Sequence, residues 1–278
     1  MIVTADDFGI APEVNEAVER AHTEGILDAA SLMVSGAAAA DAIARARRLP
    51  SLRVGLHLVL VDGPPTLPPA RVPDLVDERG QLRSDMARLG CAIAFRPSVR
   101  EQMRAEIEAQ FAAFAATGLR LDHVNAHHHF HVHPVVAEAV VAAVRRHGGA
   151  AVRVPQEPAG VLDAVERGSG PRHTWLLQPW IAALRRRVRR AGLVAPDQVF
   201  GLAWSGALHE ERLCGVLRNL PDGISEVYAH PATRDGYAAA TPGYRHAAEL
   251  AALLSPAVRR LAEAAGARRG GFSDLALP

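Results

Sequence analysis

Cysteine is nearly missing from this 278-residue sequence, which holds only Cys91 and Cys214. Two thiols cannot build a disulfide framework, and their apolar neighbours predict two buried thiols in a reducing compartment. Neither sign of charge is in surplus. Lys and Arg total 31 against 30 Asp and Glu, a formal net charge of +1, so the charge gives no reason to expect a nucleic-acid partner. No apolar run nears the roughly 18 residues that a membrane span needs. The opening "MIVTADDFG" has no charged segment ahead of an apolar one, so no signal peptide is expected. Together these absences predict a cytoplasmic protein. Internal repeats and linker-like stretches are lacking too. One domain is expected over residues 1–278, with irregular or inserted segments at 61–88 and 159–196.

What is present is a regular alternation, in a chain that is 49% apolar and so has material for a large core. "MIVTAD", "DAASLMVSG", "LRVGLHLVL", "LRLDHVNAHHH", "AAVRVPQEP", "QVFGLAW" and "ISEVYAHP" read as buried strands, and "GGFSDLAL" as a last short one. Between them lie helical stretches. Pro12 and Pro134 stand at first turns, glycines stand at several ends, and Pro256 starts a new helix or kinks the old one. Strands alternating with helices predict a parallel sheet, here an α/β fold of distorted (β/α) TIM-like barrel type, with a doubly wound sheet as the competitor. In both, function collects at the C-terminal ends of the strands.

Chemistry does collect there. Asp6 and Asp7 end the first strand, His57 lies near the end of the third, Arg153 ends the fifth and His230 ends "SEVYAHP". The fourth runs into "LDHVNAHHHFHVHP", with six histidines in fourteen residues. An extended backbone would turn His127, His129, His131 and His133 to one side. Adjacent carboxylates where a strand breaks can divide their duties, one binding a metal and the other taking a proton. A helix N-terminus is the plainer reading of the Asp pair, and a core histidine that of His57. Asp with two His makes an open metal site, nitrogen-rich and suited to zinc or a neighbouring divalent ion. Its natural chemistry is hydrolysis of an amide or ester.

"TADDFG", "GLHL", "NAHHHFHVHP" and "YAHP", in this order and spacing, resemble the YdjC-like carbohydrate deacetylase family. Longer stretches, "VTADDFGIAPEVNEAVERAH" and "VGLHLVLVDGPPTLPP", are similar to its hopanoid-biosynthesis-associated branch. The resemblance implies a (β/α) barrel that removes an acetyl group from an amino sugar, in that branch an N-acetylglucosaminyl hopanoid glycolipid. It implies one divalent ion, zinc or magnesium, on Asp7, His57 and His127. Asp6 becomes the expected general base and His230 the acid for the departing amine. Arg153, His129 and Asn125 are expected at the substrate, with orientation of Asp6 a second role for Arg153. Asn125 departs from the chitooligosaccharide relatives, which carry Asp there; it cannot be a base, and any role behind the ligands would be hydrogen bonding. A chitooligosaccharide-type deacetylase and a non-catalytic sugar- or metal-binding barrel are the alternatives. "WLLQPWIAALRRRVRR" sets Trp175 and Trp180 beside Arg185, Arg186, Arg187, Arg189 and Arg190. Such a helix either touches an anionic membrane surface or packs its apolar side on the barrel. A homodimer is left open.

Overall fold

Strand β1 (Ile2–Phe8) is buried along its whole length, as a parallel strand covered on both faces must be. The computed structural model, which describes residues 1–169 and 174–275, builds outward from it. Helix α1 (Pro12–Thr23) leads to β2 (Ala29–Leu32), α2 (Ala39–Arg48) to β3 (Arg53–Leu58), and α3 (Met86–Phe95) with α4 (Pro97–Ala116) to β4 (Val124–Ala126). After α5 (Pro134–Arg146), α6 (Ala159–Val165) and α7 (Gln178–Arg190) come β5 (Gln198–Phe200), α8 (Glu210–Arg218) and β6 (Ser225–Ala229). The chain then forms α9 (His246–Leu254), α10 (Pro256–Ala264) and α11 (Phe272–Leu275). The strands pair in parallel in the order β4-β3-β2-β1-β6-β5.

The expected fifth strand, "AAVRVPQEP", is not a regular one. Ala151 and Val152 make only isolated bridges, to Val194 and Val124. Pro155 and Pro158 lack the N–H donors that a ladder needs. Yet this stretch joins the two edges of the curled sheet: the Val124 N–H donates to the Ala151 carbonyl, and the Val199 N–H to that of Gln156. The result is a distorted TIM-like barrel.

Other expectations are corrected. The stretch 61–88 is not loop to its end, because Asp85 caps α3 by accepting the Arg88 N–H at 3.0 Å. Cys91 on α3 is exposed, while Cys214 is buried as expected. "GGFSDLAL" forms α11, not a strand; its last two residues, 276 and 277, lie outside the described part. Phe272 closes the bottom of the barrel against Ile2, Ala29 and Ala151. Pro256 starts a new helix, whose N-cap Ser255 accepts the Ala257 and Val258 N–H groups. Helix α7 seats Ile181, Leu184 and Val188 inward and leaves Trp180 exposed; the side chain of Trp175 lies outside the described part. No helix among the described residues is long and apolar enough to cross a membrane.

Candidate metal centre

A β-bulge decides how two adjacent aspartates reach one place. Three steps of β1, from Ala5 to Phe8, are matched by two steps of β2, from Ala30 to Leu32. The extra residue brings Asp7 into left-handed backbone, φ 63°. Without the bulge, Asp6 and Asp7 would face opposite sides of the sheet. With it, both line one cavity of about 1200 Å³ at the C-terminal ends of the strands. Asp62, His128 and His129 also have positive φ (55°, 52° and 53°); with Asp7 they are the non-glycine residues of this kind among the described ones. Asp7, His128 and His129 line the cavity, and Asp62 approaches His128 at 3.4 Å. Such strain persists where the surroundings enforce it, most often at functional sites.

The histidine run is therefore not extended. Residues 127–132 form a tight helical turn broken at His128 and His129, so the expected one-sided alternation fails. His127 points its Nδ1 at Asp7 Oδ1, 3.2 Å away. His129 places Nε2 2.9 Å from the Tyr228 hydroxyl, and His131 turns inward to the Arg153 carbonyl at 2.9 Å. Trp180 meets the ring of His133 edge-on at 5.6 Å.

Asp7, His57 and His127 offer three ligand atoms within 4.8 Å of one another. His57 Nε2 lies 3.3 Å from Asp7 Oδ1, yet both atoms are buried and neither has a hydrogen-bond partner. Two unpartnered buried acceptors side by side are costly unless a cation satisfies both. The tautomer agrees, because His57 Nδ1 lies 2.7 Å from Asn125 Oδ1 and donates there, leaving the Nε2 lone pair free. Burial raises the Asp7 carboxyl, but His127 outweighs it and holds Asp7 well below the usual carboxylate range. Burial likewise lowers His127, and Asp7 more than reverses this.

Asp6 lies beside the ligand set. Its Oδ1 accepts from Asn125 Nδ2 and from Arg153 Nη2, each at 3.0 Å, and its Oδ2 accepts from Arg153 Nη1. Burial pushes Asp6 up, but Arg153 keeps it ionised far below neutrality. Arg153 also donates to Glu226, and its guanidinium carbon lies 4.4 Å from the Tyr228 ring centre. Arg153 and Asn125 are fully buried and do not line the cavity, so direct substrate contact, expected of both, does not fit their positions. His129 does line it. His230 lines it too, with a buried, unpartnered Nδ1 4.0 Å from Glu249 Oε2; burial lowers its ring to about 4.

The sequence reading missed Glu226, Tyr228 and Glu249. Glu226 and Tyr228 alternate with His230 along "EVYAH", a period-2 signal that they share the inward face. It singled out Trp180 as an apolar anchor but missed the lip that this residue forms with α3 at the cavity. Met86 and Phe95 of α3 and Leu177 and Trp180 at the start of α7 are exposed, 36%, 83%, 40% and 42%, and all four line the same cavity.

The model of the YdjC-like protein family matches residues 1–264. A carbohydrate deacetylase of Geobacillus stearothermophilus is 31% identical over 259 residues, covering 92% of this chain and 89% of that one. Another, from Brevibacillus brevis, is 38% identical over 141 residues, 51% of this chain and 54% of the relative. In fold, the chain is similar to the crystal structure of an Enterococcus faecalis protein named for cellobiose-phosphate cleavage, with a TM-score of 0.77 at 23% identity over 99% of this chain and 98% of that one. By its sequence match from end to end of the barrel, this chain belongs to the YdjC-like protein family, among relatives that are named carbohydrate deacetylases.

Proposed function

We propose that this chain is a metal-dependent hydrolase that removes the N-acetyl group of an amino sugar carried on a lipid, an N-acetylglucosaminyl hopanoid, and releases acetate. One observation carries the reading: His57 Nε2 and Asp7 Oδ1 are buried, adjacent and without partners, with His127 beside them and Asp6 in the same cavity. Asp7, His57 and His127 would hold the ion, and two nitrogens with one oxygen favour zinc over magnesium. Such an ion lowers the pKa of a water and polarises a carbonyl.

The other residues have separate tasks. Asp6 is kept ionised by Arg153 and accepts the proton of the attacking water through the free lone pair of Oδ2. Asn125 and Arg153 aim that carboxylate and do not touch the sugar. His129, braced by Tyr228, lies where the sugar enters. His230 is neutral near pH 7, so it hands a proton to the leaving amine only after receiving the one that Asp6 takes from the water, which leaves Asp6 ionised again. The exposed apolar lip of Phe95, Leu177 and Trp180 at the mouth supports a lipid aglycone, since it offers apolar surface that a lipid would cover. Peripheral contact of α7 with a membrane follows from the same substrate.

The test measures acetate release from an N-acetylglucosaminyl hopanoid and from soluble N-acetylglucosamine oligomers, with chelated and zinc-restored protein. We expect release from the glycolipid that a chelator abolishes and zinc restores. Release from the oligomers alone would sink the glycolipid reading. A zinc-loaded protein that frees no acetate from either would sink the deacetylase reading.

A further inference from the structure

Three buried polar residues, Ser31, Asp122 and His123, have no task in that chemistry, and all are 0–1% exposed. They form one hydrogen-bonded chain from the floor of the barrel to the candidate metal centre, and its polarity can be assigned atom by atom. Asp122 accepts from the Phe272 and Ser273 N–H groups and from the Ser273 hydroxyl. His123 Nδ1, 2.9 Å from Asp122 Oδ2, must therefore donate. His123 Nε2 is then the acceptor for the Ser31 hydroxyl, which donates to it over 2.9 Å. The Ser31 oxygen is left to accept from Asn125 Nδ2, also at 2.9 Å. The second hydrogen of that amide goes to Asp6 Oδ1, and its oxygen accepts from His57 Nδ1. His57 Nε2 is thereby left bare, facing Asp7.

Every donor in the chain meets an acceptor. Read from the other end, the result is the same: Asp6, whose two oxygens already accept from Arg153, takes an N–H from Asn125. Two buried carboxylates at the ends of the chain thus demand one polarity. The packing is built for it. A Cβ on Gly55 would lie 2.5 Å from the His123 ring, so only glycine admits that imidazole beside β3. The other side of the ring stacks on Phe272, centre to centre 4.4 Å.

We infer that Asp122, His123 and Ser31 are positioning residues: together they pin the Asn125 amide, and through it the His57 tautomer that presents Nε2 as a ligand. The inference rests on the proposed metal site, and it assigns the floor of the barrel, with α11, a part in shaping that site. Outer partners of metal ligands typically change metal affinity about 10–100-fold.

The experiment has two readouts. The first is the 15N spectrum of the histidine side chains in metal-free protein without substrate, assigned with His57→Gln and His123→Gln. We expect His57 and His123 both protonated at Nδ1 in the wild type, and His123 moved to the Nε2–H form in Asp122→Asn, because an amide NH2 now faces its Nδ1. The second is zinc affinity by titration. Ser31→Ala and Asp122→Asn should each weaken zinc about tenfold, and the double variant should be no weaker than Ser31→Ala, because both break one chain. A wild-type His57 protonated at Nε2 would overturn the inference. So would zinc affinity unchanged in Ser31→Ala, or losses that simply add. The spectrum needs neither zinc nor substrate, so a protein that binds no zinc or frees no acetate counts against the proposed function alone and leaves the tautomers to decide.

Discussion

Arg153→Met should separate what holds the site together from what makes it react. Arg153 is 0% exposed and spans two buried carboxylates. Nε donates to Glu226 Oε1 at 2.9 Å with Nη2 beside it, while Nη1 and Nη2 hold both oxygens of Asp6. Methionine fills much of the same volume but leaves Asp6 and Glu226 in a dry interior without a cation. Removing one partner of a buried ion pair costs about 3–5 kcal/mol, and at about 2–4 °C per kcal/mol for a domain of this size the melting temperature should fall by about 6–20 °C. The protein should still fold, because domains have about 5–15 kcal/mol in hand.

The deficit has a pH sign. In the wild type the Asp6 pKa is lowered, so its contribution is present above the unfolded value near 3.8 and is lost as pH falls through the folded one. Without Arg153 the burial that remains pushes Asp6 up, which reverses the sign: the deficit should be greatest at pH 8 and shrink toward pH 4. The same shift leaves Asp6 ionised only at higher pH than in the wild type, so the acid limb of the kcat/KM profile should move to higher pH. Arg153→Lys keeps the charge but lacks the fork that spans both carboxylates, and should lie between. Scanning calorimetry at three pH values and one pH–rate profile suffice. If Arg153→Met melts within about 2 °C of the wild type at pH 8, less than 1 kcal/mol on this scale, and its acid limb does not move, the ion pair is not what keeps Asp6 ionised.

Three further outcomes are expected. Asp6→Asn should bind zinc within threefold of the wild type and lose at least 100-fold in kcat, read by titration and acetate release; near-normal turnover would remove Asp6 as the base. Glu157 accepts the Gly201, Leu202 and Ala203 N–H groups, and burial raises its carboxyl to about 7. Its folded pKa exceeds the unfolded 4.5, so its contribution is complete below 4.5 and lost as pH rises through about 7. Relative to Glu157→Gln, the wild type should therefore lose about 2–3 kcal/mol between pH 5 and pH 8 in urea unfolding, whereas a constant difference would contradict the buried-carboxylate argument. Trp180→Ser removes apolar area at the cavity mouth; at about 25 cal/mol per Å², some 60 Å² of lost contact means roughly a tenfold higher KM for a glycolipid and none for a soluble sugar oligomer. Equal effects on both substrates would deny the lip its role.

The sequence made some of this visible and hid the rest for physical reasons. Asp6, Asp7, His57, His127 and His230 meet in one cavity because a parallel barrel gathers the ends of its strands, and those ends show in the alternation of apolar runs and helices. Three things do not show there. The left-handed turns at Asp7, His128 and His129 are imposed by tertiary packing, and no hydrophobic period encodes them. The helix starting at Met86 lay behind a stretch rich in proline and aspartate, where cap chemistry, not periodicity, was the signal. The strand expected after α5 keeps its hydrogen bonds to both sheet edges but not a regular ladder, because prolines interrupt it.

One pattern in the strands was legible and explains the rest. Barrel interiors are usually filled by branched aliphatic side chains in layers. Here the inward positions are polar, two residues apart: Gly55 and His57 on β3, His123 and Asn125 at β4, Glu226 and Tyr228 on β6. Apart from the glycine, each of these side chains has a polar partner inside the barrel: His57 bonds Asn125, Asn125 bonds Asp6 and Ser31, His123 bonds Ser31, and Arg153 bonds Glu226 and lies over Tyr228. A half-satisfied polar interior is worse than an apolar one, so such a barrel holds only if nearly every donor finds its acceptor. The unpartnered atoms beside this interior include Asp7 Oδ1, His57 Nε2 and His230 Nδ1, whose residues line the cavity, and Glu226 Oε2, whose residue does not. The Asn125 bond aims His57, the β-bulge aims Asp7 and the Glu249 bond to its N–H holds His230, and the lack of partners at these three side chains leaves them free for the proposed ion and substrate.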